Sequence, residues 1–303
     1  MTTAAAPSRF LDLKALAALR TFKFTTKARI EGTFSGRHRS SSRSGSGEFV
    51  DHREYSHGED LRRLDWKIFA RTGRGYIRLF QDETNLVCTL VVDASGSMRF
   101  GDRSAVHSQT KLEYAQYFAT ACAEIIGRQQ DQIGLAVVAD GIETFVPPGA
   151  TPSHVDHVQK TIESIDTTSE TKLAEGLDDL FRRLKCRGTL IVLSDFLVDD
   201  LDAVFSAIRL FRHRRFEVVL MHLVHPDEER LPTGTAFRFE DLEGAGNLDC
   251  SPDEIRTEYE RQFSDHLAKV RGLATASGCD YRRVSTAIPY LATLGGFLVD
   301  RAG

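Results

Sequence analysis

One short run constrains this chain more than any other. Residues 86–92 (LVCTLVV) are almost wholly apolar, then break into Asp93-Ala94-Ser95-Gly96-Ser97. A strand that alternates apolar and polar side chains has one wet face, whereas a strand without alternation is covered on both. Strands of that kind belong to parallel sheets sandwiched between helices, and the rest of the chain supplies both components. Aliphatic and β-branched runs at 76–80, 133–138, 142–146, 189–193 and 216–224 alternate with helical periodicity at 110–128, 153–165, 172–185, 200–213 and 253–276. In the first helix, Leu112, Ala115, Phe118, Ala119, Cys122 and Ile126 form one apolar face. The last opens on Ser251-Pro252-Asp253-Glu254, which reads as a serine cap, a proline at the first helical position and a glutamate three after the cap. The expected fold is α/β: a doubly wound, mostly parallel sheet with helices on both faces.

At 303 residues and 41% hydrophobic, the chain is long enough to bury such a core. Its formal charge of −4 argues against bulk nucleic-acid binding, but the total hides an asymmetry. Residues 1–85 balance at +6 and residues 86–303 at −10. The expected organisation is therefore a basic N-terminal leader and family-specific segment, 1–85, packing on an acidic α/β domain, 86–303. Within the leader, the spacing of Phe10, Leu13, Leu16, Ala17 and Leu19 predicts a short helix docked on the body. The stretch 35–47 (SGRHRSSSRSGSG) cannot bury apolar area and reads as a loop, flexible or ligand-ordered. Residues 47–72 crowd mixed charges around Phe49, Tyr55, Trp66 and Phe69, the pattern of an ion-pair network pinned by an apolar anchor. That segment is either a lid over a sheet edge or a binding surface; His52 and His57 are poorly spaced for zinc. No run approaches the roughly 18 apolar residues of a membrane span. The N-terminal residues show no apolar core before a cleavage site. Five cysteines, odd in number and never in C-x-x-C, suit a reducing cytoplasm.

The chemistry gathers where the first apolar strand ends. In open α/β sheets, ligands sit beyond the carboxyl ends of the strands at the point where the winding reverses. Asp93, Ser95 and Ser97 project there from one loop, and Gly96 permits the turn. One carboxylate and two hydroxyls are hard oxygen donors, suited to Mg²⁺, Mn²⁺ or Ca²⁺ rather than zinc. Strand 189–193 ends in Ser194-Asp195, a second carboxylate at a strand terminus. The hydroxyl-rich Thr167-Thr168-Ser169-Glu170-Thr171 precedes helix 172–185. From the residues alone, Asp195 is equally a turn residue and Thr171 equally a helix cap.

Together these positions resemble the metal-ion-dependent adhesion site of von Willebrand factor A domains: D-x-S-x-S, then a threonine before a helix, then an aspartate after the fourth strand. The resemblance implies a metal site of Asp93, Ser95, Ser97, Thr171 and Asp195. It implies a divalent cation, Mg²⁺ first with Mn²⁺ or Ca²⁺ as alternatives, whose last coordination position takes an Asp or Glu of a protein partner. Ser169 stands where that family often has glycine. The chain is closer still to the bacterial domain-of-unknown-function 58 family. This likeness is carried by Gly36–Ser40, by the segment from Gly45 through Thr72 with Arg53-Glu54-Tyr55-Ser56-His57-Gly58-Glu59-Asp60 and Leu64-Asp65-Trp66, and by Lys111-Leu112-Glu113-Tyr114-Ala115, Asp131-Gln132-Ile133-Gly134-Leu135 and Ser194-Asp195-Phe196. It implies work beside a MoxR-type AAA+ ATPase, as an adaptor or in maturation of other proteins.

Other classes fit less well. A Mg²⁺-dependent phosphohydrolase of haloacid-dehalogenase type, the alternative reading, needs a second carboxylate as general acid where this chain has Ser95. Ser95 and Ser97 lack a G-x-S-x-G elbow, His107 reads as a solvated loop histidine, and no P-loop is present. The expectation is a cytoplasmic, metal-dependent protein-interaction module and not an enzyme, with no nucleic-acid partner and no membrane span.

Overall fold

The computed structural model describes residues 8–12, 16–19, 23–25, 48–57, 61, 64–81, 86–101, 109–168, 172–231, 234, 237–240, 242 and 246–302. The chain divides into two compact units, one of residues 28–85 and one of residues 1–27 with 86–303.

In the smaller unit, β1 (Glu48–Glu54) pairs antiparallel with β2 (Tyr76–Gln81) around α1 (Trp66–Thr72). Asp65 starts the helix by accepting hydrogen bonds from the backbone amides of Lys67 at 2.9 Å and Ile68 at 3.2 Å. Gly73 ends it at φ 71°, the left-handed conformation that suits glycine. The run 76–80, grouped above with the main-sheet strands, pairs here with β1 and bridges to Leu64. The apolar anchor is the bridged pair Leu64 and Ile77, both buried. Trp66 and Phe69 instead stack edge to face at 6.0 Å while 56% and 42% exposed. The loop at 35–47 lies outside the described residues.

The larger unit is built on a six-stranded sheet. Its elements are β3 (Val87–Asp93), α2 (Lys111–Arg128), β4 (Gln132–Ala139), β5 (Gly141–Gly149), α3 (Pro152–Glu163), α4 (Leu173–Arg183), β6 (Thr189–Ser194), α5 (Leu201–His213), β7 (Glu217–Val224), the single turn α6 (Pro226–Glu229), a small hairpin β8 (Phe237–Glu240) and β9 (Asn247–Cys250), α7 (Pro252–Ala276), β10 (Asp280–Ser285) and α8 (Tyr290–Ala302). The strand order is β10-β7-β6-β3-β4-β5, and every pairing is parallel except β4 with β5. From β3 the chain winds out to β5, then returns to β6 on the other side of β3. This reversal makes the crevice between the carboxyl ends of β3 and β6 the switch point of a doubly wound sheet.

Burial explains why β3 shows no alternation. Leu90 and Val92 face one apolar layer, with Phe118 of α2, Val158 of α3 and Phe297 of α8. Val91 faces the other, with Leu177 of α4, Phe205 of α5 and Val270 of α7. Each fully buried large apolar side chain contributes about 1.5–3 kcal/mol, so the two layers specify the strand register. The sheet's edges are different. β5 carries Pro147 and Pro148 and breaks register twice against β4. β10 carries Asp280, Arg282 and Arg283 and is only partly buried.

The first residues belong with this body. Phe10, Leu16, Leu19 and Phe24 are buried, and Phe10 meets Tyr117 edge to face at 4.9 Å. Among the described residues of 9–24 the helical structure is a 3-10 turn, Ala17–Leu19, following one α-helical residue, Leu16. Beyond it, Thr25 is clasped to α8. Its hydroxyl donates to the Arg301 carbonyl at 2.6 Å, and Arg301 Nε donates to the Thr25 carbonyl at 2.5 Å.

Candidate functional site

The loop after β3 folds as its composition dictates. Ser95 N–H donates to Asp93 Oδ1 at 2.9 Å, and residues Gly96–Arg99 then form a 3-10 turn. The turn sets the Ser95 and Ser97 hydroxyls 3.1 Å apart. From β6, Ser194 Oγ donates to Asp93 Oδ2 at 2.5 Å, which ties the two strand ends across the switch point. Asp195 turns back toward the same place: Leu197 N–H donates to its Oδ1 at 3.1 Å, and Ser97 hydrogen-bonds to its carboxylate. Asp93, Ser95 and Asp195 are fully buried, whereas Ser97 is half-buried and opens the site to solvent. Thus four of the five sequence-derived residues converge. Thr171 lies outside the described residues. On either side of it, Thr168 N–H donates to the Ala94 carbonyl at 2.9 Å and Lys172 N–H to the Ala139 carbonyl at 2.6 Å. Among the described residues, the buried Thr168 hydroxyl has no hydrogen-bond partner.

Three groups not singled out from sequence complete the arrangement. Lys111, the first residue of α2, buries its side chain completely. Its ammonium donates to Asp195 Oδ2 at 2.6 Å and to Glu228 Oε1 of α6. His222 of β7 packs its ring on Phe196 at 5.4 Å and shares a 2.9 Å hydrogen bond with the Tyr281 hydroxyl. One signal for Lys111 was available. A cation at a helix N-terminus opposes the macrodipole, so a lysine opening an apolar helix under a threonine cap needs carboxylate partners.

The charges are mutually adjusted. Burial, with the neighbouring Asp195 charge adding to it, pushes the Asp93 carboxyl up to about 6. Burial alone would raise Asp195 too, but Lys111 holds it below the usual carboxylate range. Glu228 moves the other way: burial raises it against the pull of Lys111. The two carboxylates that share one ammonium therefore shift in opposite directions. Burial opposes the ammonium's own charge, yet Asp195 and Glu228 still raise Lys111 above the ordinary lysine value. His222 is held neutral by burial, its pKa lowered to about 3.

The protein-family comparison matches residues 51–269 to the model described as protein of unknown function DUF58. The chain belongs to the DUF58 family. An uncharacterized protein of Mycobacterium tuberculosis is 27% identical over 299 residues, covering 96% of this chain and 90% of the relative; one of Mycobacterium bovis matches to the same extent. Among solved structures, the conserved hypothetical protein BatB from Bacteroides thetaiotaomicron is similar at 17% identity and TM-score 0.49, covering 72% of this chain and 98% of that one. A von Willebrand factor type A structure from Catenulispora acidiphila is similar at 11% identity and TM-score 0.44, covering 75% of this chain and 44% of that one. Among the described residues of this DUF58 protein, no group of three His, Cys, Asp or Glu side chains gathers as a metal site, and no helix is long and apolar enough to cross a membrane. The site's donors are of another kind, two carboxylates with two hydroxyls.

Proposed function

We propose that this DUF58 protein is a metal-dependent protein-interaction module and not an enzyme. In this reading Asp93, Ser95, Ser97 and Asp195, with Thr171, hold one divalent cation, Mg²⁺ first and Mn²⁺ or Ca²⁺ as alternatives. The observation that carries it is the 3.1 Å separation of the Ser95 and Ser97 hydroxyls. Two adjacent ligands of an octahedral Mg²⁺ at about 2.1 Å are separated by about 3.0 Å. Both donors are therefore already spaced as ligands of one small ion. Two buried carboxylates within the same loop pair, one of them pushed up to about 6, carry an electrostatic cost that a cation relieves.

When bound, the ion supplies a Lewis-acidic position open to a partner. The chain's own residues do the rest. Ser194 and the Ser95 amide fix the Asp93 carboxylate by one hydrogen bond to each oxygen. Ser97, the half-buried member, marks the side from which an Asp or Glu of a protein partner enters. The family resemblance makes a MoxR-type AAA+ ATPase the partner of choice, in assembly or maturation of other proteins, and the cysteine usage favours a cytoplasmic setting.

The test is a calorimetric titration of Mg²⁺ and Mn²⁺ into wild type and Asp93→Ala, followed by binding to a purified MoxR-type ATPase with and without chelator. Wild type binds the metals and Asp93→Ala does not; equal binding by the two proteins refutes the site. Association with the ATPase is lost in chelator; undiminished association removes the ion from the mechanism.

A further inference from the structure

Lys111 raises a question that the metal reading leaves open: why a site for a cation should contain a buried cation of its own. Its ammonium lies 2.6 Å from Asp195 Oδ2, on one of the carboxylates that would face the metal. It has a second counter-charge in Glu228, which belongs to a different element. Glu228 is itself embedded: its Oε2 accepts from the His225 amide at 2.8 Å, and its backbone carbonyl accepts from the Tyr259 hydroxyl of α7 at 2.8 Å. Arg256 of α7 donates to the Leu231 carbonyl at 2.6 Å, just past the same turn. Phe100, which follows the serine turn, packs on the His225 ring at 5.3 Å and under the Lys111 ammonium at 5.7 Å. Asp195 thus joins the serine loop on one side to Lys111 on the other, and Lys111 joins Asp195 to the turn carrying Glu228.

We propose that Lys111 is a built-in counter-ion that competes with the divalent cation for Asp195, and that Glu228 carries this competition into the Pro226–Glu229 turn. The inference rests on the metal reading above and assigns its regulation. Without metal, Lys111 neutralises Asp195, and the uncompensated cost of burial falls on Asp93. An ion entering beside Ser97 draws on the Asp195 charge, and the ammonium shifts its pairing toward Glu228. Lys111 is a positioning residue here: it sets the charge presented to the ion and couples occupancy to the segment 225–231. By reciprocity, whatever a partner does to that segment changes metal affinity by the same factor.

The experiment compares Mn²⁺ affinity, by calorimetry and electron paramagnetic resonance, in wild type, Glu228→Gln and Lys111→Met/Glu228→Gln. The double variant removes one charge of each sign, so it keeps the net charge of the site while freeing Asp195. Glu228→Gln leaves Lys111 with Asp195 alone and binds Mn²⁺ more weakly than wild type. The double variant binds more tightly than wild type, by about ten- to a hundredfold. Equal or weaker binding by the double variant overturns the proposal and leaves the metal site standing. Absence of binding in wild type and double variant alike overturns both. Hydrogen exchange read by mass spectrometry is the second arm: Mg²⁺ alters protection of residues 225–231 in wild type and not in the double variant. An unchanged pattern in wild type overturns the coupling to the turn.

Discussion

At the residue scale, Phe196 is one of three non-glycine residues with positive φ among the described residues, with Gln130 and Arg215. It adopts φ 53° while fully buried, in a region that bulky side chains avoid at a cost of about 1–3 kcal/mol. Its ring lies between His222 and Phe205, and that packing offsets the strain. His222 gives a prediction with a definite sign. Its pKa is lowered from 6.5 to about 3, chiefly by burial, with His266 and Lys111 contributing and Asp195 opposing. Below 6.5 the unfolded chain takes up a proton that the folded chain refuses, so stability falls as pH drops from 6.5 toward 3. Between pH 7 and pH 5 wild type loses about 2 kcal/mol through this group. His222→Asn lacks that loss, and urea melts of both proteins at the two pH values measure the difference. An equal response in the two would remove His222 as the cause. Asp93, Ser95 and Ser97 were legible in the sequence because one turn carries all three. The pairing of Lys111 with Asp195 and Glu228 was not, because these partners lie 84 and 117 residues away and only the winding of the sheet unites them.

At the element scale, the apolar periodicity of β3, β4, β6 and β7 and of α2 to α5 predicted each within two residues or so at either end. These are the elements whose burial leaves a pattern in the chain. The edge strand β10 was missed because Asp280, Arg282 and Arg283 give it none of the continuous apolar character of β3. The start of α7 was read correctly at Pro252, but the Ser251 side chain makes no capping hydrogen bond. Helix–strand contact is close at Gly176 of α4, where an added Cβ would lie 2.3 Å from Val138 Cγ1 of β4. Gly176→Ala gains about 1 kcal/mol of helix propensity. The clash with an immobile core strand costs about 1–3 kcal/mol and outweighs it. Chemical denaturation should therefore show a net loss of up to about 2 kcal/mol, and a more stable variant would mean that α4 is free to move off the sheet.

At the scale of the whole molecule, the two ends of the larger unit are fastened together. Arg301 donates from Nη2 to Glu217 Oε2 at 2.6 Å and lies over the rings of Phe24 and Phe297 at 4.6 and 5.0 Å. Glu217 also accepts from Thr189 Oγ1 at 3.1 Å, so the clasp reaches from residue 24 into β6 and β7. Arg301→Met leaves the buried Glu217 charge without this partner, at a cost of about 3–5 kcal/mol. Arg301→Met/Glu217→Gln recovers most of that loss. Urea denaturation measures both, and limited proteolysis shows the single variant cut early in residues 1–27. Resistance equal to wild type would show that the clasp does not hold that segment.

The blunted margins of the sheet carry a final consequence. Paired prolines and register breaks on β5, and the charged Asp280, Arg282 and Arg283 on β10, deny a straight hydrogen-bonding template to another chain. Strand addition, a common way for one protein to grip another, is therefore closed at both sides. The same devices keep a sheet this apolar from polymerising through its edges. For the interaction module proposed above, this leaves the rim of loops above the strands, where a contact can be made and released without adding to the fold.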